Sequence, residues 1–260
     1  MPDGTSRMSI ITSGSCQKLY QFLSCSTWSQ YTIVDAKYVV KMDSRLSLPH
    51  ASFLSCGFTT GFYRSYFQSW RCWTGSTCNI NMPNIRTRDR YVEVARVHRA
   101  AQIIGIDINK GKREKREAFG MTHYINPKAI GDKSISEMVK ELTNGLGVDY
   151  SFECTRVSHL VNEALESTKV GVGKTTMLGA GTQKSMEIDF VSLLGCRTFK
   201  YSIFCGGKVQ FDLPVVIDKC INKEIQKLDQ LLTHEVQLNN INRAFDLLKE
   251  PENVKVLIQL

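Results

Sequence analysis

The chain has 260 residues, which is enough for about two domains or one large one. Its hydrophobic content of 42% and charged content of 22% are typical of a soluble globular protein, and no apolar run approaches the roughly 18 residues that cross a membrane. The net charge of +8 is uneven, since 12 Lys or Arg face four acids between Arg64 and Arg116. No DNA- or RNA-binding motif accompanies this basic stretch, so we do not expect nucleic acid as a partner.

The N-terminal and cysteine patterns bear on the compartment. The opening letters MPDGTSRMSII lack the basic region and apolar core of a secretory signal, so we expect a cytoplasmic protein. The nine Cys form no CxxC pair, which argues against a compact zinc knuckle made of Cys alone. Free thiols in a reducing compartment are the expected state.

The first hundred residues carry weaker signals than the rest. Two β-branched or aromatic runs, Tyr31–Val34 and Tyr38–Met42, predict strands on either side of a turn at Asp35–Lys37. Residues 62–100 are rich in Arg and show neither a helical period nor strand alternation. The sequence therefore does not place a buried element in this stretch before Tyr91.

From Ala101 onward, predicted strands and helices alternate. The strands are Thr122–Asn126, Val148–Cys154, Lys174–Ala180, Thr198–Phe204 and a final Val254–Leu260. The helices are Ser134–Thr143, with Ser134 and Glu137 as a capping box, Ser158–Lys169, Leu213–Ile221 and Ile241–Leu248. Alternation at this spacing predicts right-handed βαβ units, and hence an α/β fold with a parallel sheet over about residues 101–205.

The apolar run Ile103–Ile106 ends in Asp107, and a basic helical stretch follows. This pattern predicts a buried parallel strand with a carboxylate at its C-terminal tip. In a dinucleotide-binding fold that carboxylate accepts hydrogen bonds from the adenosine ribose and repels a 2′-phosphate, which favours NAD over NADP. The same letters also fit an ordinary strand followed by an Asp near the start of a helix.

Taken together, the chain resembles the zinc-dependent, NAD-linked medium-chain alcohol dehydrogenases, and within them the plant alcohol dehydrogenase-like branch. The stretches that carry the resemblance are DGTSRMS at 3–9, CSTWSQYTIVDAKYVVK at 25–41, LPHASFLSCGFTTGF at 48–62, IIGIDINK at 103–110, VDYSFECT at 148–155 and THEVQLNNINRAFDLLK at 233–249. The family implies a Rossmann-type domain inserted into a β-rich, GroES-like catalytic domain. Residues 1–57 would then be a remnant of that catalytic domain, 58–205 the Rossmann domain with 62–100 irregular, and 206–260 the segment that returns to it.

The resemblance also implies roles for single residues. Cys56 matches the third ligand of the catalytic zinc. The residues that match cofactor contacts are Thr60 beside the nicotinamide, Asp107 and Lys112 at the adenosine ribose, Thr155 at a strand end, Phe204 at the nicotinamide amide and Lys255 at the pyrophosphate. The family further implies NAD and zinc as cofactors, a small alcohol or aldehyde as substrate, and a homodimer joined along the strand that matches Thr198–Cys205.

The chain departs from the family at its zinc ligands. The family holds its catalytic zinc with a Cys, a His and a Cys, and only the third has a match here, at Cys56. The four-Cys loop of the structural zinc has no match either. Because a catalytic zinc site needs three protein ligands, we predict no bound zinc and interpret Cys56 as a small buried thiol at a domain junction.

The second departure lies at the glycine motif. A G-x-G-x-x-G turn should end about twenty residues before the ribose acid, and counting back from Asp107 gives Pro83–Arg88, which contains no Gly. Glycine is needed there because a Cβ would keep the backbone N–H groups away from the pyrophosphate. We therefore expect weak or absent NAD binding. The correct length with different letters suggests a locally shifted reading frame, restored near Val92–Ala101.

Three functions stay open at this point. The first is an enzyme that oxidises a primary alcohol by hydride transfer to NAD with zinc as Lewis acid. The second is a non-catalytic truncated relic, or a gene-model artefact, that folds in part and dimerises. The third is a basic binding protein that uses Arg64–Arg116.

Overall fold

The computed structural model describes residues 6, 8–20, 25, 27–54, 76–81, 92, 95–96, 99–155, 157–179, 185–202, 209–225, 228–229, 232–250, 253 and 255–260. The chain divides into two compact units, one made of Met1–Arg45 with Lys227–Leu260 and the other of Leu46–Gln226. The sequence predicted domain boundaries at 57/58 and 205/206, and these stay a prediction. Each unit is described by itself below.

The larger unit is built on a six-stranded parallel sheet. Its strands are β3 (Thr77–Asn81), β4 (Gln102–Ile106), β5 (His123–Ile125), β6 (Tyr150–Glu153), β7 (Lys174–Met177) and β8 (Thr198–Tyr201), and they lie in the order β5-β4-β3-β6-β7-β8. The first strand of this set is central, and the order runs outward from it on both sides, as in doubly wound dinucleotide-binding folds. The predicted Rossmann-type parallel sheet is therefore confirmed.

Helices lie before, between and after these strands along the chain. They are α1 (Leu48–Phe53), α2 (Arg113–Phe119), α3 (Ile135–Leu142), α4 (Ser158–Glu166), α5 (Phe190–Leu194) and α6 (Val209–Ile221), with short 3-10 turns at Lys110–Lys112 and Pro127–Ala129. The predicted capping box of α3 is present: Ser134 Oγ accepts from the Glu137 backbone N–H at 3.1 Å, and Glu137 Oε2 accepts from the Ser134 N–H at 2.7 Å. These two bonds satisfy donors that the first turn of a helix would otherwise leave unpaired.

Clusters of buried residues cover each face of the sheet. One cluster of buried residues contains Cys78, Ile80, Ile103, Phe119, Met121, Tyr150 and Phe152. The other contains Ile104, Ile106, Ile125, Val148 and, from α3, Ile135 and Val139. Neighbouring residues of β4 thus point to opposite cores, as the alternation of a strand requires. This explains why β4 appears in the sequence as an unbroken apolar run.

An aspartate joins the two central strands at their N-terminal ends. Asp149 Oδ2 accepts from the Thr77 backbone N–H at 2.8 Å and from Thr77 Oγ1 at 3.0 Å, while Lys169 Nζ donates to Asp149 Oδ1 at 2.7 Å. Burial alone would raise the pKa of Asp149, but the bonds from Lys169 and Thr77 outweigh it, and the net result is a lowered pKa. The carboxylate therefore stays ionised and holds the start of β3 against β6.

Two local predictions differ from the structure. The central strand β3 lies inside residues 62–100, where the sequence did not place a buried element before Tyr91. Pairing with β4 on one side and β6 on the other overrides the weak strand preference of its letters TCNIN. Conversely, Tyr31–Val34 and Tyr38–Met42 form no strand; a 3-10 turn covers Ala36–Tyr38, and Ile33 is 93% exposed. β-branched and aromatic side chains favour a strand only where they have a surface to pack on.

The smaller unit contains an antiparallel hairpin, β1 (Met8–Thr12) and β2 (Ser15–Leu19), and a parallel pair, β9 (Leu232–Gln237) and β10 (Lys255–Gln259), with α7 (Ile241–Leu247) between them in sequence. The hairpin turn Ser13-Gly14 has positive φ at both residues, 46° and 86°. Glycine suits the second position because a two-residue turn of this hand needs left-handed backbone. The rings of Trp28 and Phe245 meet edge to face with centroids 5.5 Å apart.

Lys255 opens β10 and is partly buried in the smaller unit. Burial lowers the pKa of its ammonium group from 10.5 to about 8, because removal from water disfavours the charged form. Its backbone carbonyl accepts from Thr233 Oγ1 at 2.9 Å.

Within the parts of the chain that the structure describes, no helix combines the length and apolar character needed to cross a membrane.

The first prediction concerns the core of the larger unit. Leu165→Ala on α4 removes a side chain that is 0% exposed, and we expect it to lower the free energy of unfolding by about 2–5 kcal/mol, since the cavity left behind collapses only in part. The matched control is Leu146→Ala, because Leu146 is 67% exposed; it should change stability by less than about 0.5 kcal/mol. Urea titration followed by far-UV circular dichroism measures both. Equal losses in the two variants would contradict the described packing.

The second prediction concerns pH. Lys255 has a folded pKa of about 8 against 10.5 for the exposed group, so burying its charge lowers stability at pH 7, and this cost fades as pH rises from 8 toward 10.5. Lys255→Met should therefore raise the melting temperature at pH 7 and show a smaller gain at pH 10. Lys249→Met is the control, since the Lys249 side chain is 77% exposed. A gain for Lys255→Met that does not change with pH would contradict the burial argument.

Candidate functional site

The candidate site lies at the carboxyl ends of the parallel strands. The sheet order reverses direction between β3 and β6, and in open α/β sheets the crevice beside such a reversal is the usual ligand site. Asp107 follows β4 directly, and Thr155 lies two residues beyond the end of β6. Two of the sequence-predicted residues therefore lie on the same edge of the sheet, on either side of β3.

Asp107 is almost completely enclosed, with 2% of the residue exposed. Its Oδ1 accepts from the Asn109 backbone N–H at 2.8 Å, and its Oδ2 accepts from Arg116 Nη1 at 2.5 Å. Its own backbone N–H donates to the Ile125 carbonyl at 3.1 Å. Each carboxylate oxygen thus already has a donor supplied by the chain itself.

The partner of Asp107 is equally enclosed. The Arg116 side chain is 1% exposed and that of Asp107 is 0% exposed, so the two form an ion pair shielded from water. Removing both charges from water is costly, and their mutual attraction offsets that cost only when the pair stays together. The geometry therefore makes Asp107 a structural carboxylate whose charge Arg116 neutralises.

Tyr124 on β5 forms the wall beside this pair. Its hydroxyl donates to the Asp107 carbonyl at 2.6 Å, and the Arg113 guanidinium lies 5.8 Å from the centre of its ring. Burial, followed by the negative charge of Asp107, raises the pKa of Tyr124, so its hydroxyl stays protonated as a donor. Arg113 is itself fixed by an ion pair with Glu117 at 2.7 Å.

The end of β6 carries a second buried carboxylate. Glu153 is 0% exposed, and its Oε1 accepts from the Thr155 backbone N–H at 2.5 Å. Thr155 Oγ1 in turn accepts from the Val157 N–H at 3.0 Å, at the entry to α4. This chain of bonds holds the turn that presents Thr155 at the sheet edge, and it occupies the threonine oxygen as an acceptor.

Of the other predicted site residues, the structure describes some and not others. Lys112 ends the 3-10 turn Lys110–Lys112 close to Asp107 in sequence, and its side chain is outside the description. Cys56, Thr60 and Phe204 lie outside the described residues. Lys255 belongs to the smaller unit, away in sequence from the sheet edge. The described site therefore consists of Asp107 and Thr155 together with partners that the sequence did not single out.

The described residues do not fit the adenosine end of NAD in the predicted way. An acceptor for the two ribose hydroxyls needs an exposed carboxylate, and that of Asp107 has no exposed side-chain surface. The glycine-poor segment Pro83–Arg88, where the pyrophosphate turn is expected, lies outside the described residues. The role of Asp107 as ribose acceptor therefore conflicts with its observed partners.

The prediction about catalytic zinc and Cys56 rests on the sequence alone. In the described ranges no three or more His, Cys, Asp or Glu side chains come close enough to hold a metal ion. The described thiols comprise Cys78, Cys154 and Cys220, which are buried, and Cys16, Cys25 and Cys196, which are more exposed. The donor set that the structure describes therefore does not fit a zinc site.

Arg116 and Glu153 lie at the candidate site, and the sequence did not predict a role for either. A signal for Arg116 existed, because it lies three residues before the buried Phe119 and so shares the inward face of α2. An arginine on an inward face next to a strand-end Asp predicts a buried pair. Glu153 gave no comparable signal, since a single acid at a strand end is usually solvated.

Comparison with known proteins shows the family to which the chain is similar. Residues 91–221 match the family model described as zinc-binding dehydrogenase. The chain is 66% identical over 260 residues to "CYP enzymes assisting alcohol dehydrogenase" from Catharanthus roseus, covering 100% of this chain and 68% of that protein. It is 49% identical over 259 residues to "Alcohol dehydrogenase 1" from Artemisia annua, covering 100% of this chain and 67% of the relative.

Solved structures agree on the fold. Benzyl alcohol dehydrogenase from Acinetobacter calcoaceticus superposes with a TM-score of 0.81 at 21% identity, covering 92% of this chain and 64% of that one. Alcohol dehydrogenase TADH from Thermus sp. ATN1 gives a TM-score of 0.72 at 22% identity, covering 85% of this chain and 61% of that one. The chain thus spans about two thirds of the length of these proteins, and by sequence and by fold it belongs to the zinc-binding dehydrogenase family, among the plant alcohol dehydrogenases.

Proposed function

We propose that this 260-residue polypeptide keeps the dinucleotide-binding sheet of an alcohol dehydrogenase but binds NAD weakly or not at all and oxidises alcohols little or not at all. The observation that carries this proposal is the enclosure of Asp107 by Arg116, with side-chain exposures of 0% and 1%. The carboxylate that should accept the ribose hydroxyls is engaged inside the protein. The protein is then a non-catalytic member of its family.

Two sequence features support the same proposal. Pro83–Arg88 has side chains where the pyrophosphate needs bare backbone, so several N–H bonds to a charged group would be lost. At about 1.5–3 kcal/mol each, such losses amount to several powers of ten in affinity. Cys56 matches one catalytic-zinc ligand of the family, and one thiolate by itself does not hold zinc.

Membership of this family supports a proposal for the substrate class and for the cofactors of an active relative. Relatives named as alcohol dehydrogenases imply a small alcohol or aldehyde, with NAD as hydride acceptor and zinc as Lewis acid. Among the residues carried over by resemblance, Thr60, Lys112, Thr155, Phe204 and Lys255 would contribute to NAD binding. The cytoplasm is the compartment we propose.

We further propose a homodimer that joins two sheets along β8. This strand is the last in the sheet order, with only β7 beside it among the described strands. Tyr201 is 48% exposed on it. The unpaired edge of a strand is a ready surface for pairing with a second copy. Sedimentation equilibrium tests this part, and a monomer at about 50 μM would contradict it.

The third prediction tests the cofactor. Calorimetric titration of the purified chain with NAD should give a dissociation constant no tighter than about 1 mM, because a site deprived of the ribose and pyrophosphate contacts retains less than roughly 4 kcal/mol of binding free energy. Assays with NAD and a primary alcohol should show no turnover above background. A micromolar dissociation constant would mean that residues 82–91 form a phosphate site despite lacking glycine.

The fourth prediction tests the metal. Elemental analysis after dialysis should find close to no zinc per chain, since binding is strong only where three or four ligands converge. Cys56→Ser should leave the zinc content unchanged. About one zinc per chain, lost in Cys56→Ser, would show that the polypeptide assembles a metal site and would overturn the non-catalytic interpretation.

A further inference from the structure

The buried pair between Asp107 and Arg116 bears on which nucleotides the sheet edge accepts. We propose that Arg116 is a specificity-determining residue: by neutralising Asp107, it lets the edge beside β4 take a nucleotide with a 2′-phosphate at least as well as one with a free 2′-hydroxyl. This inference rests on the proposed function in one respect, namely that the chain keeps the dinucleotide-binding sheet of its family.

An acidic residue at this strand tip selects against a 2′-phosphate in two ways. It accepts hydrogen bonds from the ribose hydroxyls, and its charge repels a phosphate at the 2′ position. Both effects need a negative charge that the ligand can approach. Here Arg116 Nη1 lies 2.5 Å from Asp107 Oδ2 and the Asn109 N–H lies 2.8 Å from Oδ1, so the charge is cancelled and both oxygens are engaged.

The surface outside the buried pair is cationic. Lys110 and Arg113 are exposed, and both line a cavity of about 650 Å³ along the edge strand β5. Tyr124 also lines this cavity, and its hydroxyl bonds to the Asp107 carbonyl at 2.6 Å, so the cavity adjoins the buried pair. Lysine and arginine are the side chains that proteins use most for phosphate groups.

The acids of the same helix do not reverse this charge. Glu117 is bound to Arg113 at 2.7 Å, and Glu114 is the other carboxylate of α2, exposed to solvent. Between Asn109 and Glu117, apart from Arg116, whose charge Asp107 neutralises, the chain has four basic residues against two acidic ones. A 2′-phosphate would therefore meet net positive charge over a neutral buried pair, in place of a bare carboxylate.

The test uses nucleotide fragments that do not depend on the pyrophosphate turn. The full chain is titrated calorimetrically with adenosine 5′-monophosphate and with adenosine 2′,5′-bisphosphate at the same ionic strength. We expect the native chain to bind the bisphosphate as tightly as the monophosphate or more tightly. Arg116→Ala restores an unneutralised carboxylate and should shift the ratio of the two dissociation constants by at least about tenfold toward the monophosphate.

The control removes a cation elsewhere on the same unit. Lys133 pairs with Glu141 on the surface at 2.6 Å, with both side chains 53% exposed. Lys133→Ala lowers the net charge by the same amount as Arg116→Ala, and it should leave the ratio within about twofold, since an exposed charge is screened by salt. An equal shift in both variants would show that overall charge, and not Arg116, sets the preference.

A second variant keeps the test decisive if Arg116→Ala does not fold, since it leaves a buried carboxylate without its partner. Asp107→Asn combined with Arg116→Met replaces the pair by neutral side chains of similar size, an exchange that folded proteins often tolerate. If Arg116 already silences Asp107, this double variant keeps the native ratio. A tenfold shift toward the bisphosphate in the double variant would show that Asp107 still repels the 2′-phosphate, and the inference would fail.

Other outcomes separate this inference from the proposed function. A native chain that prefers the monophosphate by about tenfold, or that binds neither fragment at about 10 mM, overturns the inference while weak NAD binding stands. Micromolar NAD binding overturns the proposed function, and the ratio of the two fragments still decides the role of Arg116.

Discussion

The parallel sheet is continuous only because β3 pairs on both sides. Thr77–Asn81 is bonded to β4 along its whole length and to β6 along four residues, and among the described strands it alone joins the two halves of the sheet. Asp149 adds bonds to Thr77 at the start of the strand, and Cys78 and Ile80 are 0% exposed in the core. Every feature of the candidate edge depends on this register, since the tips of β4 and β6 are aligned through β3.

The second constraint is the burial of charge at the tip of β4. An aspartate at this place can serve a ligand only if it remains partly in water, and Arg116 from α2 prevents that. A buried pair adds little net stability compared with apolar residues of the same volume, but losing one partner is costly. The pair therefore fixes α2 against β4 and removes the carboxylate from the ligand surface. One arginine on the inward face of a helix thus changes both the packing and the chemistry of the edge.

Prediction from sequence succeeded where local and tertiary preferences agree. The run Ile103–Ile106, the capping box at Ser134 and Glu137, and the alternation of strands and helices after Ala101 all have local physical causes, and the structure confirms them. It failed at β3 and at Tyr31–Val34 for opposite reasons. The letters of β3 favour a strand weakly, yet it has partners on both sides; Tyr31 and Ile33 favour a strand strongly, yet they are 90% and 93% exposed.

The sequence by itself determined the fold class, the order of most elements, the family and the absence of glycine at Pro83–Arg88. The fold class and the element order follow from periodicity and motif spacing, and the family follows from the resemblance of the quoted stretches; all of these are local along the chain. Only the tertiary structure decided that β3 is central and that Asp107 faces Arg116 rather than solvent. Both facts depend on which segments meet in space, since pairing partners and desolvation are set by neighbours distant along the chain. The state of a carboxylate, and with it the ligands it can accept, is therefore a property of the folded protein.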